Sequence, residues 1–550
     1  MIMKNIVKIA SCILAVGALT FQSCESIELD LRNNPNALSP DNADPNFLLN
    51  GIQEDFIRTV QTMGTRAAEF VRIEYLFGRQ YQQTYQPSNF DAQWEDIYTE
   101  QLTDTYTLYG LADDRDLPYH KGMGQFMEAY SMVMLVDFFG DVPYAEANLG
   151  SENFNPSPES GASIYDKMLS LLDEAIANFN AGGVAPQNDF FYDGDAAAWV
   201  RACNTLKLKI LINRRTVDAG SIATFNGIIN TGNYISSVDE DMDFQWGTNA
   251  VQPDVRHPQY AGDYTPTGGG DYRANHLMNY MNNQDDPRIR YFFYRQNADT
   301  PGAPGIPGDL ETIECSLQSP PPHYFGFPFC SLENGYWGRD HGSDEGIPPD
   351  GFLRSLIGVY PAGGKFDDDT FEGQVLGNGG GGAGVTPVLM ASTVDFWRAE
   401  IAMVQGNTPG AKQFMLDGLA KSVEKVTAFG SVDPTADLSF EPSEADITAH
   451  ANLIDDDFDA DATGGWNVLA QEFYVSLYGN GLDGFNFYRR TGYPDNLQPN
   501  LEPNPGSVNR SFFYPANAAN ANSNITQKPD HLQQVFWDNN PSGPSFPFSN

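Results

Sequence analysis

Leu135-Val136-Asp137-Phe138-Phe139-Gly140-Asp141-Val142-Pro143-Tyr144 is the stretch whose reading decides the fold. It ends a long amphipathic helix on which Phe126, Met127, Tyr130, Val133 and Met134 recur near helical spacing. Gly140 and Pro143 then stop that helix and set a turn, since glycine caps helix ends and proline lacks the backbone N–H a helix needs. On the N-terminal side, Trp94, Ile97, Tyr98, Leu102 and Tyr109 mark an earlier helical segment. On the C-terminal side, Ile164, Met168, Leu171, Leu172, Ala175, Ile176 and Phe179 hold one face, with Ser163 and Asp166 as the expected capping pair. Asp195 is placed to cap the next helix, whose face carries Trp199, Cys203, Leu206 and Ile210.

From about 220 to 385 the periodicity disappears except around His276 to Asn282, and Gly, Pro, Asn and Asp become dense. Asp285 to Arg295 (DDPRIRYFFYR) reads as a turn and then a strand-like run. Helices return at Thr386: Val394, Trp397, Ile401 and Val404 form a stripe ended by Gly406, and Thr408-Pro409 open another with Leu416, Leu419, Val423 and Val426. A third spans roughly Trp466 to Leu477 and leads into YGNGLDGFNFYRRTGYP. After about 495 the chain is polar, with apolar clusters at Phe512–Tyr514 and Val535–Trp537 that are expected to dock on the body.

The N-terminus predicts export. Lys4 and Lys8 precede an apolar stretch from Ile9 to Phe21, shorter than the ~20 residues a spanning helix needs. Ser23-Cys24 follows at once, the pattern of a lipoprotein cleavage site in which Cys24 takes the lipid, so residues 1–23 are the signal peptide. The formal net charge moves from −41 to −43 when Lys4 and Lys8 leave with that segment. So acidic a chain, with no Lys/Arg-rich run, repels phosphate backbones, and nucleic acid is excluded as a partner.

Chemistry with a sequence signature is absent. The seven histidines form no HExxH pair, and no GxSxG elbow occurs. Gly377-x-Gly379-x-x-Gly382 lacks a leading strand-like run and reads as a flexible loop rather than a dinucleotide site. Asp457, Asp459 and Asp461 alternate like a calcium loop, but its twelfth position would be Val468, so a plain acidic loop is preferred. No metal and no cofactor are expected. Cys203 reads as a small core residue, while Cys315 and Cys330 flank a Pro- and aromatic-rich loop and are expected to pair, the other reading being two separate buried thiols.

Signal peptide and lone cysteine, the FFGDVPY ending, the IYDKMLSLLDEAI helix, the Ala202–Ile210 helix, the later hairpin and Arg489-Arg490-Thr491-Gly492-Tyr493-Pro494, in this order, resemble the SusD/RagB family of nutrient-binding surface lipoproteins. The resemblance is nearest to the branch carrying RRTGYP. It implies a mainly α fold of tetratricopeptide-like helical hairpins with an irregular, loop-rich insertion, as one domain over 24–550. The helical scaffold would cover about 45–220 and 386–480, the insertion about 221–385 and the tail about 495–550. It further implies a lipid-anchored outer-membrane protein facing the exterior that hands its ligand to a SusC-type TonB-dependent transporter and breaks no bond. A glycan is the expected ligand and a peptide the second; the rival reading is a surface lipoprotein hydrolase, and a third is a scaffold whose sole partner is the transporter.

The resemblance also implies that ligand recognition lies on one face, where an early loop meets the insertion. Aromatic rings cover the apolar face of a sugar, and polar side chains hydrogen-bond its edge. Tyr81, Tyr85, Tyr324, Tyr336 and Trp337 are the expected stacking surface, with Arg79, Asn334, Arg339 and Asp340 as edge contacts. Trp337 is the leading candidate, expected to be exposed because Gly335, Gly338, Arg339 and Asp340 surround it.

Overall fold

The computed structural model describes residues 43–299, 315, 318–324, 326–346 and 349–541. The expected export signal 1–23 and Cys24 lie outside them. The longer helices are α1 (Pro45–Phe70), α2 (Leu102–Arg115), α3 (Pro118–Phe139), α4 (Gly161–Ala181), α5 (Ala196–Arg214) and α6 (Ser221–Thr231). After the irregular segment, which carries α7 (Asn275–Asn283), come α8 (Ala391–Val404), α9 (Thr408–Thr427), α10 (Glu444–Ala460), α11 (Trp466–Ser476) and α12 (Leu482–Thr491). Successive helices pack on one another, α2 through α6 in turn and then α8 on α9, while α12 returns to lie on α1. The fold is mainly helical, in tetratricopeptide-like pairs.

Helix α3 is not amphipathic. Every one of its residues except Pro118 and Lys121 is buried, because helices α1, α2, α4 and α5 pack around it. Asp137 therefore sits in a dry environment and must be satisfied by the protein. It accepts hydrogen bonds from the Tyr165 hydroxyl, from Trp537 Nε1 at 2.9 Å and from Asn486 Nδ2 at 2.8 Å. Burial raises its carboxyl above the ordinary range against the pull of Lys209 and these donors. One aspartate so joins α3 to α4, α12 and the tail. Phe512 of the tail stacks on Phe138, ring centroids 5.0 Å apart. Gly140, at φ +77°, closes α3 by donating its N–H to Val136 O at 2.8 Å.

Several boundaries differ from the sequence expectation. Helix α4 starts one turn early, because Ser160 rather than Ser163 is the cap and accepts from Ser163 N. Asp195 caps α5 through Ala197 N and Ala198 N. Residues 221–231, expected within the irregular segment, form α6 and pack on α5. Helix does not return at Thr386; Val385–Leu389 is first a strand, and α8 begins at Ala391.

The strands form four antiparallel two-stranded ladders among the described residues: β1 (Val142–Pro143) with β2 (Pro158–Glu159), β3 (Met242–Gln245) with β8 (Val385–Leu389), β4 (Tyr264–Thr265) with β5 (Gly268–Gly269), and β6 (Phe293–Tyr294) with β7 (Leu356–Ile357). The β3–β8 register, Gln245 opposite Val385, brings the two ends of the irregular segment together. The glycine run 377–384 opens on an exposed Gly377 but is packed from Gly379: a Cβ there would lie 2.3 Å from Gly364 O, so backbone rests directly on backbone. Asp457 and Asp459 lie in α10, where helical geometry turns them to different partners, Gln284 and Lys412, and not to a common ion. Cys315 and Cys330 form a disulfide with Cα atoms 5.6 Å apart, and Cys203 is a buried free thiol.

Candidate functional site

Helix α1 ends at Phe70, and the chain turns back on itself through Ile73 and Glu74, whose N–H groups both donate to Ala68 O. A loop then leads into the helical turn Tyr81–Thr84. This path puts Glu69, Glu74, Tyr75, Phe77 and Tyr85 on one side of a cleft of about 430 Å³. The other side comes from the irregular segment: Gln259, Asp271, Tyr272, Arg273, Arg339 and Glu345. The volume suits a small ligand or a few sugar rings.

The cleft pairs rings with carboxylates. Phe77 is 61% exposed and has no ring partner among the described residues, and Tyr75 meets Tyr272 edge-on at 6.2 Å between centroids. Tyr272 is held by two arginines: the guanidinium carbons of Arg339 and Arg354 lie 4.0 and 3.9 Å from its centroid, and its hydroxyl donates to Asp350. Tyr85 donates its hydroxyl to Glu69 Oε2. Burial pushes the Glu69 carboxyl up to about 8, despite the Tyr85 hydroxyl and Arg66, so it carries a proton in neutral water. Burial also raises Glu74, which accepts from Gln259 Nε2 at 2.8 Å and lies 3.4 Å from Arg273.

Of the residues singled out in the sequence, Tyr85 and Arg339 line this cleft, and most of the others are core. Trp337 is 1% exposed, Tyr81 0%, Tyr324 1% and Tyr336 4%, so none of them offers a face for stacking. The Tyr81 hydroxyl accepts from Arg72 and bonds His341, Tyr336 lies under the Arg295 guanidinium, and Trp337 exchanges bonds with Ser355. Asp340 is equally buried, accepting from Asn275, Gln498 and Cys330 N; burial pushes it up to about 6. Arg79 is exposed but paired with Asp344, and Asn334 is exposed at φ +61°. The expectation for Trp337 fails because its glycines mark close packing. A Cβ on Gly338 would lie 2.3 Å from Arg273 O, so the glycine seats the tryptophan's strand of chain against a neighbour. Phe77, Tyr75, Tyr272 and Glu69 were missed, although Tyr75 and Phe77 both stand in YLFGRQY, the stretch that also carries the singled-out Arg79 and Tyr81.

A family model described as "Starch-binding associating with outer membrane" (SusD-like) matches residues 35–320, just over half of the chain. The chain belongs to the SusD/RagB family. Solved structures agree on the fold. A SusD/RagB family protein from Bacteroides thetaiotaomicron has a TM-score of 0.65 at 17% identity, covering 91% of this chain and 100% of that one. A chitin-binding SusD homolog from Flavobacterium johnsoniae has a TM-score of 0.61 at 16% identity, covering 90% and 100%. A SusD homolog from Bacteroides fragilis has a TM-score of 0.62 at 16% identity, covering 90% and 99%. No curated protein matches the chain.

Membership in the SusD family makes this a binding protein and not an enzyme, which removes the hydrolase reading. The family's description associates it with the outer membrane. Among the described residues no helix is long and apolar enough to cross a membrane. Asp286, His450 and Glu472 bring ligand-type atoms within 4.8 Å of one another, but a cation is already there. Arg288 places one nitrogen 2.6 Å from Asp286 Oδ2 and 2.9 Å from Glu472 Oε2, which gives both carboxylates their counter-charge.

Proposed function

We propose that this SusD-family protein captures a glycan in the cleft between the Glu69–Tyr85 segment and Tyr272, and passes it to a SusC-type TonB-dependent transporter. The carrying observation is the exposed Phe77 ring at the mouth of a cleft whose other walls carry tyrosines, carboxyls, an amide and two protein-paired guanidiniums. A sugar needs this combination: a flat apolar surface for its C–H face and acceptors for its hydroxyls. Glu69 adds a protonated carboxyl whose O–H can donate to a hydroxyl or acetamide oxygen. That one structural relative is chitin-binding is in keeping with such a ligand. Attachment through Cys24 on the outer face of the outer membrane would hold the cleft near the transporter mouth, since two or more acyl chains anchor stably.

Calorimetry against a panel of oligosaccharides and peptides tests the reading. Phe77→Ala should weaken glycan binding roughly tenfold, the loss of about 1.4 kcal/mol expected for an aromatic anchor, with an unchanged melting temperature. Retention of peptides and of no glycan would replace the ligand class. Gentle extraction of the membrane should co-purify a large TonB-dependent barrel; repeated recovery of the lipoprotein alone counts against the delivery step.

A further inference from the structure

Resting on the reading of the cleft as the glycan site, we propose that it admits only glycans without anionic groups, and that Asp271 is the residue that turns acidic ones away. The guanidinium groups that line the cleft are committed to the protein. Arg273 faces Glu74 at 3.4 Å, Asp271 at 3.9 Å and Asp263 at 4.0 Å. Arg339 donates NH1 to Glu345 O at 2.6 Å and NH2 to the Tyr272 hydroxyl at 3.2 Å. The Nε atom of each has no partner, but both are sealed from solvent, so a carboxylate or sulfate in the cleft cannot reach them. At the rim Arg79 is paired with Asp344, and Arg66 lies over the rings of Tyr85 and Phe90 rather than in the wall.

The acids are placed the other way. The Asp271 side chain is 58% exposed, the most open charge beside Arg273, and Glu74 and Glu345 stand in the same walls. Even with Glu69 protonated, the three other lining acids outnumber the two lining arginines. A uronate or sulfate would shed water beside like charge and gain no cation, the arrangement that selects against a ligand. Neutral sugar hydroxyls are donors, and carboxylates accept from them readily. The −43 charge of the chain without its leader repels polyanions before contact.

The test uses the detergent-solubilised full-length protein. Hexasaccharides from starch, xylan, mannan and chitin are compared with oligogalacturonate and chondroitin sulfate hexasaccharides by calorimetry. At least one neutral hexasaccharide should bind, and the acidic ones at least about tenfold more weakly, a gap of about 1.4 kcal/mol. Asp271→Asn should narrow that ratio, and added salt should narrow it further. An acidic glycan held as tightly as the best neutral one overturns the inference; if Phe77→Ala also abolishes that binding, the glycan site itself stands. A ratio unmoved by Asp271→Asn removes Asp271 from the role. If no glycan of either class binds, the glycan reading falls and this inference with it.

Discussion

Arg490 grips Glu400 with two hydrogen bonds, Nε to Oε1 at 3.0 Å and NH2 to Oε2 at 2.7 Å, across 90 residues of sequence. Arg215 shares Oε1 through its Nε at 2.7 Å. Burial works to raise Glu400, but the two guanidiniums hold its carboxyl below the usual range. The second arginine of RRTGYP is thus a rivet between α12, α8 and the end of α5. Its neighbour Arg489 donates to Arg510 O and so ties α12 to the tail. Both arginines are buried, and neither touches the cleft.

Glu400→Gln leaves the buried Arg490 and the partly buried Arg215 without this counter-charge. Breaking a buried pair in this way costs about 3–5 kcal/mol, so the denaturant midpoint should fall sharply. Glycan affinity of the folded fraction should not change. A midpoint near that of the unaltered protein would show that the clamp contributes little.

Trp337→Ala should destabilise the protein by about 3–5 kcal/mol, the range for truncating a large core ring. The reading of this ring as a ligand platform predicts instead lost affinity at constant melting temperature. Thermal unfolding and calorimetry on the same sample separate the two outcomes.

Glu69 makes stability depend on pH. Its folded value is raised from 4.5 to about 8, so the folded state binds the proton more tightly than the unfolded chain. The associated stability is fully present below about 4.5 and is lost as pH rises through about 8. Between these limits the unaltered protein should lose stability relative to Glu69→Gln, whose neutral amide does not titrate. Parallel pH–stability curves for the two proteins would show that Glu69 does not retain its proton.

Replacing Cys24 by Ala removes the proposed acylation site. The variant should leave the outer-membrane fraction and take up no fatty-acid probe. A variant that remains membrane-bound and labelled would place the anchor elsewhere.

Helical pairs and their order were legible because they rest on local rules: apolar spacing, the cap at Asp195, Thr408-Pro409 at the start of α9 and the glycine that ends α3, while the family was legible through the resemblance of the motifs. The central place of α3 was not. A helix wrapped on all sides and a one-sided helix carry similar apolar spacing along one face, and packing partners decide between them. Cleft residues were harder still. Glycine beside an aromatic ring reads equally as an open loop or as backbone pressed on backbone, and at Trp337 the second holds.

By itself the sequence determined the helical architecture and the acidic net charge, and it carries the pattern of an export signal followed by a lipid-site cysteine. Which rings line the cleft and which are core was decided by tertiary structure alone. Exposure is a property of neighbours brought from far along the chain: Ser355 and Arg273 O close over the Trp337 region, while Phe77 is left 61% exposed. The same holds for charge, since Glu69 reads as an ordinary acid until burial lets it keep its proton.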